Sequence, residues 1–370
     1  MSGKADYSLY IHIPFCKKKC DYCHFYVLPD HDESKDQLLK ALKQHWNLWD
    51  QHLDGAPIKT LYFGGGTPSL FGAHRIGELI DWVSKRLAPN CEISLEANPD
   101  QFTDIQSFRK AGVNRLSIGV QTLDEALLPP LGRTHTATQA IKTVEEAARY
   151  FQNITIDLMY DLPHQTLESW NSTLEQALNL PIQHISLYNL ILEPESLFYK
   201  KKKEISLLMP VEEISAEMYC AAIEKTHSKG FEQYEISAFA KAGYTSKHNT
   251  VYWKGEPFLG LGPSAFSYLE GKRFRQHRNL KKYCESVKSQ EKTIDFEEQL
   301  DVQAAKRELL IVGLRMMEGI DLLDFPSLSH ENIKEIDQLI EDGLLKQNSY
   351  RLQITDRGKL FYDTIARRLI

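Results

Sequence analysis

Three cysteines stand at Cys16-x3-Cys20-x2-Cys23, directly after the run Tyr10-Ile-His-Ile-Pro-Phe. Thiolates usually hold iron–sulfur clusters four at a time, so three at this spacing imply a 4Fe-4S cubane with one iron free of protein. An open position on a metal centre is where a ligand binds. The amino and carboxylate groups of S-adenosylmethionine (SAM) suit such a position. Zinc is the competing reading of the same residues. It needs a fourth ligand, for which His24 is the near candidate, and usually a distant second cysteine pair, which does not follow here. Cys91, Cys220 and Cys284 stand alone and read as small buried hydrophobes.

A second set of residues carries polar chemistry. In Phe63-Gly64-Gly65-Gly66-Thr67-Pro68-Ser69 the glycines let the backbone pass where a Cβ would clash, and their N–H groups can face a ligand. A tight turn explains a triple glycine equally well. Glu96-Ala-Asn98-Pro99 follows an apolar run, and Gln121, Arg133 and Asp157 add polar groups further along. SAM carries an ammonium, a sulfonium and ribose hydroxyls, all of which favour an acceptor, and Arg133 can fork onto a carboxylate. The blander alternative is that Glu96 and Asp157 cap helices or hold loops together.

Short apolar or alternating runs with helical stretches between them are the pattern of a parallel α/β sheet. Strands are predicted near 9–14, 60–64, 92–97, 115–120, 154–159 and 184–192. Helices are predicted near 35–52, 73–87, 102–111, 138–150, 167–179 and 211–228. Six such units predict an incomplete (β/α)6 barrel over 1–230, with chemistry at the C-terminal strand ends; Cys16, Gly64 to Gly66, Glu96, Gln121 and Asp157 all fall there. Residues 231–298 read as a linking segment that opens with a short strand at Glu232 to Ser237 and runs into a glycine- and aromatic-rich loop. From 299 to 370, helices, a hairpin broken at Asn348-Ser349 and a last helix predict a small α+β domain resembling a winged helix.

With 370 residues the chain exceeds a single core and predicts one large domain and one smaller. A net charge of −6 gives no electrostatic footprint for nucleic acid. No apolar run approaches the ~20 residues that cross a bilayer, and the first ten residues lack a signal-peptide core. A cytoplasmic protein is expected, in a reduced compartment that suits thiolate ligation.

The cysteine spacing resembles that of the radical SAM superfamily. The resemblance implies that one electron from the cluster cleaves SAM to methionine and a 5′-deoxyadenosyl radical. Tyr10 to Cys16, Gly64 to Ser69, Glu96 to Pro99, Ser117-Ile-Gly-Val-Gln121, Leu131-Gly-Arg133, Tyr234-Glu-Ile-Ser, Leu259-Gly-Leu-Gly262-Pro-Ser-Ala and Thr355-Asp-Arg-Gly358 together resemble the oxygen-independent coproporphyrinogen III dehydrogenase family, over nearly the whole chain. By that resemblance Tyr10, Tyr22, Gly65, Gly66, Thr67, Glu96, Gln121, Arg133 and Asp157 contact SAM.

The family has a decarboxylating branch, which converts two propionates of coproporphyrinogen III to vinyl groups, and a haem-chaperone branch. The decarboxylating branch typically carries a fourth cysteine two positions after the third and a longer N-terminal segment. Here Cys23 is followed by His24-Phe25, and fifteen residues precede Cys16. Both features favour the chaperone branch, which would bind haem and pass it to a haem-requiring target protein. His248-Asn-Thr-Val-Tyr252-Trp253 resembles the haem-associated motif of that branch, with imidazole or tyrosinate able to meet haem iron and Trp253 able to wall in a porphyrin. Which of His248 and Tyr252 touches iron stays open, as does a purely structural loop.

Some positions depart from the family pattern. Asp161 and His164 stand where glycines are usual, so that loop must avoid positive φ or accept strain, and Asn189 stands where glutamine is common. Lys17 to Lys19 and Lys200 to Lys203 read as solvated surface, or as an attractant for an acidic electron donor such as a flavodoxin or ferredoxin.

Overall fold

The computed structural model describes residues 6–53, 55–326 and 328–370. Six parallel strands form its centre: β1 (Tyr7–Ile13), β2 (Ile58–Gly65), β3 (Leu87–Ala97), β4 (Arg115–Gln121), β5 (Ile154–Tyr160) and β6 (His184–Asn189), paired in that order. Helices cross between them: α1 (Asp32–Asp50), α2 (Ala73–Val83), α3 (Ile105–Lys110), α4 (Ala137–Ala147) and α5 (Leu167–Leu178), with α6 (Glu212–Ser228) after β6. Alternation along β1 divides its side chains. Leu9, Ile11 and Ile13 join the apolar core that takes in Leu38 and Leu42 of α1. Ser8, Tyr10 and His12 face the other way and hydrogen-bond Thr60, His12 and Tyr26. Helix starts are fixed by side chains: Thr136 and Thr166 each form a capping box at α4 and α5.

The sheet does not close and does not stop at six strands. Beyond β6 come β7 (Glu232–Glu235) and β8 (Ala238–Ala240), with β8 beside β6 and β7 at the edge. Beyond β1 lie β9 (Phe258–Leu261), β10 (Phe266–Leu269), β11 (Lys272–Gln276) and β12 (Ile294–Gln299). The segment 231–298, expected as a linker, therefore supplies six strands to one twelve-stranded sheet. It also supplies α7 (Lys247–Trp253) and α8 (Leu280–Ser289). Strand β9 lies parallel to β1, Leu259 opposite Leu9 and Leu261 opposite Ile11.

A separate apolar core, built around Leu310, Leu339, Leu352 and Leu369, holds the C-terminal part together. Its elements are α9 (Val302–Gly313), β13 (Ile320–Asp321), α10 (His330–Glu341), the hairpin β14 (Leu345–Asn348) and β15 (Arg351–Ile354), then α11 (Asp356–Leu360) and α12 (Tyr362–Leu369). Two helices before a hairpin match the winged-helix-like expectation. Met317 N–H donates to Tyr234 O at 3.0 Å and Ile236 N–H to Arg315 O at 3.0 Å, which ties this core to the sheet edge.

Two expectations about single residues resolve here. Asp161 and His164 both take positive φ, 61° and 64°, so the loop after β5 accepts the strained conformation instead of avoiding it. Asp161 is compensated: its carboxylate accepts from Asn189 Nδ2 at 2.6 Å and Ser215 Oγ at 2.5 Å. The two departures at 161 and 189 thus form one contact. Of the lone cysteines only Cys91 is buried; Cys284 is half-buried and Cys220 is exposed, because it sits on the solvent side of α6.

Candidate cluster and ligand site

Parallel strands leave their C-terminal ends open to one face, and the cysteine loop folds over that face. Phe15–Cys16 and Leu28–Pro29 pair as two-residue strands that close the loop at its base. Asp21 N–H donates to Leu131 O at 3.1 Å and Phe198 N–H to Asp21 O at 2.9 Å, so the loop is clamped from two sides. Cys16, Cys20 and Cys23 line one cleft of about 400 Å³ together with Tyr22, Gly65, Gly66, Thr67, Glu96, Gln121, Arg133 and Asp157. Cys16 Sγ lies 3.5 Å from Thr67 Oγ1, and Arg133 Nη1 donates to Cys20 Sγ at 3.4 Å. Burial pushes the Cys16 thiol up to about 11 and raises that of Cys23. Metal ligation draws off such protons. Among the described residues no three His, Cys, Asp or Glu side chains gather around one ion position.

The glycine loop is shaped by its neighbours. Gly65 has φ +119°, and a Cβ there would lie 2.6 Å from the His12 ring; one on Gly66 would lie 2.7 Å from Phe15 O. Gly65 N–H donates to Glu96 Oε2 at 3.1 Å, and Tyr62 O–H to Glu96 Oε1 at 2.9 Å. Even so, burial lifts the Glu96 carboxyl to about 7. Burial likewise lifts Asp157 to about 6, against two bonds from Ser117 Oγ at 3.0 and 3.1 Å. Two buried carboxyls in one cleft are a deficit that a cation would fill. Arg133 donates from Nη2 to Asn98 Oδ1 at 2.8 Å and Gly119 O at 2.5 Å, while its buried Nε has no partner among the described residues. An unmet guanidinium donor beside two acidic groups suits a zwitterion such as the methionyl end of SAM. Gln121 holds φ 67° at the end of β4, which turns its amide into the cleft. Asn98, which donates to Thr67 Oγ1 at 2.9 Å, and Tyr62 connect these groups; Tyr62, which sits within β2 and outside any motif, was not expected in the site.

Tyr10 borders this set, its ring stacked on Tyr62 with centroids 6.1 Å apart. It lines a second cleft of about 520 Å³ with His12, Tyr252, Phe258 and Phe266, and the two clefts share His24, Phe25 and Glu193. The Tyr10 hydroxyl bonds His12 Nδ1 at 2.9 Å, and His12 Nε2 bonds Tyr26 O at 3.2 Å. A carbonyl only accepts, so Nε2 carries the proton and Nδ1 accepts from Tyr10.

The candidate haem residues divide three ways. Helix α7 is seated by buried Glu92, whose carboxylate accepts from the backbone N–H groups of His248 at 3.0 Å and Lys247 at 3.2 Å. An acidic group at a helix N-terminus is favourable, and no spacing in the sequence links Glu92 to this helix. His248 is fully buried, stacked on Tyr62 with centroids 4.8 Å apart. Its Nδ1 meets Thr60 Oγ1 at 2.7 Å, and Thr60 donates onward to Ser8 Oγ at 2.7 Å. Nδ1 is therefore the donor, and Nε2 accepts from the Tyr252 hydroxyl at 2.8 Å. Burial pushes the His248 ring down to about 3, so it stays neutral. Tyr252, half-buried, faces the second cleft. Trp253 lies at the junction with the C-terminal core, with the Arg315 guanidinium 4.2 Å over its ring.

Residues 10–177 match the model of the radical SAM superfamily and residues 300–361 that of the HemN C-terminal domain. The structure of coproporphyrinogen III oxidase (HemN) from Escherichia coli, described as a radical SAM enzyme, superposes with a TM-score of 0.86 at 24% identity, covering 99% of this chain and 90% of that one. That likeness shows the fold: an incomplete radical SAM barrel with a C-terminal domain. The fold, the cysteine spacing and the matched region define a radical SAM protein, a class that uses SAM and a 4Fe-4S cluster.

Within that class, the heme chaperone HemW of Bacillus subtilis is 34% identical over 366 residues, 95% of this chain and 96% of its own. The heme chaperone HemW of Lactococcus lactis is 35% identical over 361 residues, 95% and 94%. The chain belongs to the HemW family. No helix among the described residues is long and apolar enough to cross a membrane.

Proposed function

We propose that this protein is a haem chaperone that holds a 4Fe-4S cluster on Cys16, Cys20 and Cys23 and SAM in the cleft beside it, binds haem, and hands haem to a recipient protein. The observation that carries the reading is the second cleft, which abuts the thiol-lined one and presents Tyr252 among aromatic walls. The names borne by the HemW relatives support the cargo. When bound, the cluster supplies one-electron chemistry to SAM. The chain's own residues do the rest. Glu96 and Asp157 offer negative charge to the cationic parts of SAM, Arg133 offers Nε–H to its carboxylate, Gly65 and Gly66 keep the loop close, and Thr67, Gln121 and Tyr22 border the remainder.

For the cargo, His248 has both ring nitrogens committed within the fold, whereas Tyr252, whose hydroxyl donates to His248 Nε2, lies on the wall of the second cleft. We assign Tyr252 as the residue that meets haem iron, tyrosinate being a known axial ligand, and His248 as the residue that orients its hydroxyl. Trp253 serves the domain junction. Lys17 to Lys19 are exposed on the cluster loop, and the Phe198–Asp21 bond brings Lys200 to Lys203, also exposed, alongside. An acidic electron donor would be steered there, in the cytoplasm.

The test is a haem titration of anaerobically reconstituted protein, wild type against Tyr252→Phe and His248→Ala. Stoichiometric binding with a tyrosinate-type spectrum, lost in Tyr252→Phe and weakened in His248→Ala, is the expected result. Conversion of coproporphyrinogen III to protoporphyrinogen IX would overturn the chaperone reading in favour of the decarboxylating branch.

A further inference from the structure

We infer that Arg275 and Arg278 form a carboxylate-binding edge on the second cleft and that they recognise the two propionates of an iron porphyrin. The inference rests on the haem reading above and adds the side of the site that the haem motif does not touch. Both arginines line the cleft that Tyr252, Phe258 and Phe266 wall. They project from the end of β11 and the turn after it, outside α7, and the sheet brings them to the cleft that Tyr252 also lines. The cleft thus has an apolar, aromatic body and a doubly cationic rim, the complement of a flat tetrapyrrole with its acids on one edge. Its volume of about 520 Å³ lies within the range of small-molecule sites, roughly 300 to 1,000 Å³.

The state of the two guanidinium groups supports exchange with a ligand. Asp295 engages Arg275 through Nε alone, at 2.8 Å, and the terminal amino groups of Arg275 make no hydrogen bond among the described residues. The second Asp295 oxygen accepts from Arg278 N–H at 3.1 Å, so Asp295 fixes the turn that carries both arginines. Phe266 lies beneath Arg275, 5.7 Å from ring centroid to guanidinium carbon. Arg278 forks onto Glu195 with bonds of 2.6 and 3.2 Å. Glu195 is more than half exposed and sits at φ 71° on the loop that crosses from β6. An exposed pair of this kind contributes little to stability, so a ligand carboxylate that arrives with a buried aromatic face replaces it readily. Glu195 thus makes with Arg278 the fork that one propionate would take over.

Titration with ferric haem and with haem dimethyl ester, followed by absorbance, tests the inference in wild type, the double variant Arg275→Gln/Arg278→Gln, and Glu195→Gln. Haem affinity is expected to fall about 10- to 100-fold in the double variant, the loss of one or two charge-assisted hydrogen bonds. The ester, which lacks the charges, is expected to bind wild type and double variant alike. Glu195→Gln removes the competitor and is expected to tighten haem by about 2- to 5-fold without changing the ester. Equal haem affinity in wild type and double variant overturns the arginine edge and leaves the chaperone reading standing. Equal losses for haem and ester overturn it as well, since they report damage to the cleft. Wild type that binds neither ligand removes the haem reading, and this inference with it.

Discussion

Glu96 is the residue from which a pH dependence of the proposed SAM cleft is expected. Burial raises its carboxyl from the ordinary value, roughly 4.3, to about 7. The folded protein then binds that proton more tightly than the unfolded chain. The stability Glu96 contributes is full below the ordinary value and is lost as pH rises through about 7. A cationic ligand selects the ionised form. SAM affinity is therefore expected to rise about tenfold from pH 6 to 8, as the ionised fraction climbs from roughly a tenth to nine tenths. Isothermal titration at several pH values checks this, and Glu96→Gln is expected to flatten the profile; a profile that stays steep in the variant places the titration elsewhere. At the loop after β5, His164 holds φ 64° with no side chain bond among the described residues to offset it. His164→Gly is expected to raise unfolding stability by about 1 kcal/mol, measured by chemical denaturation, whereas Asp161→Gly is expected to lower it because bonds from Asn189 and Ser215 are lost.

Among the elements, α7 carries the largest dependence on one remote residue. Glu92, buried on β3, accepts two backbone N–H groups at the start of α7 and lies 3.9 Å from Arg115 Nη1. Glu92→Ala leaves that guanidinium without its carboxylate and the Lys247 and His248 N–H groups without their acceptor, with only the Ser246 hydroxyl still capping the helix at Asn249 N–H. A loss of about 3 kcal/mol is expected in chemical denaturation, together with weakened haem binding as His248 and Tyr252 shift; unchanged haem binding would separate the helix seat from the cargo site. How much of this was readable beforehand differs by element. β1 to β6 carry long apolar runs buried on a sheet and came out of the sequence within a few residues, as did the helices between them. β8 to β12 did not: β8, β9 and β10 are runs of three or four residues, too short to show a period, and β11 and β12 mix charged with aromatic residues. The site followed the same rule. Residues on local motifs (Cys16, Gly65, Glu96, Arg133) were legible, whereas Tyr62, Glu92, Arg275 and Arg278 enter only through strand order.

Among the described residues a large apolar core under the sheet and the C-terminal core are accompanied by a smaller cluster around Leu131, Leu162 and Phe198, and Arg315 is one group that joins the first two. Arg315 bonds Glu235 Oε2 at 3.1 Å and lies over the rings of Trp253 and Tyr362, at 4.2 and 5.2 Å. It thus bridges the sheet edge, α7 and the last helix. Arg315→Met leaves buried Glu235 unpaired and is expected to split thermal unfolding into two transitions, with protease cleavage appearing near residues 299–302; one cooperative transition at the wild-type midpoint would show that the junction holds without it. The same joint relates α7 to the C-terminal domain, so movement of that domain on meeting a recipient protein would be felt at Tyr252. All of this presupposes a cluster with one iron open toward Glu96 and Arg133. The electron paramagnetic resonance spectrum of the reduced, anaerobically reconstituted protein, recorded with and without SAM, tests that most directly. A cubane signal that shifts when SAM is added is the expected result, and a signal indifferent to SAM, or iron-free protein carrying zinc at the three cysteines, would contradict it.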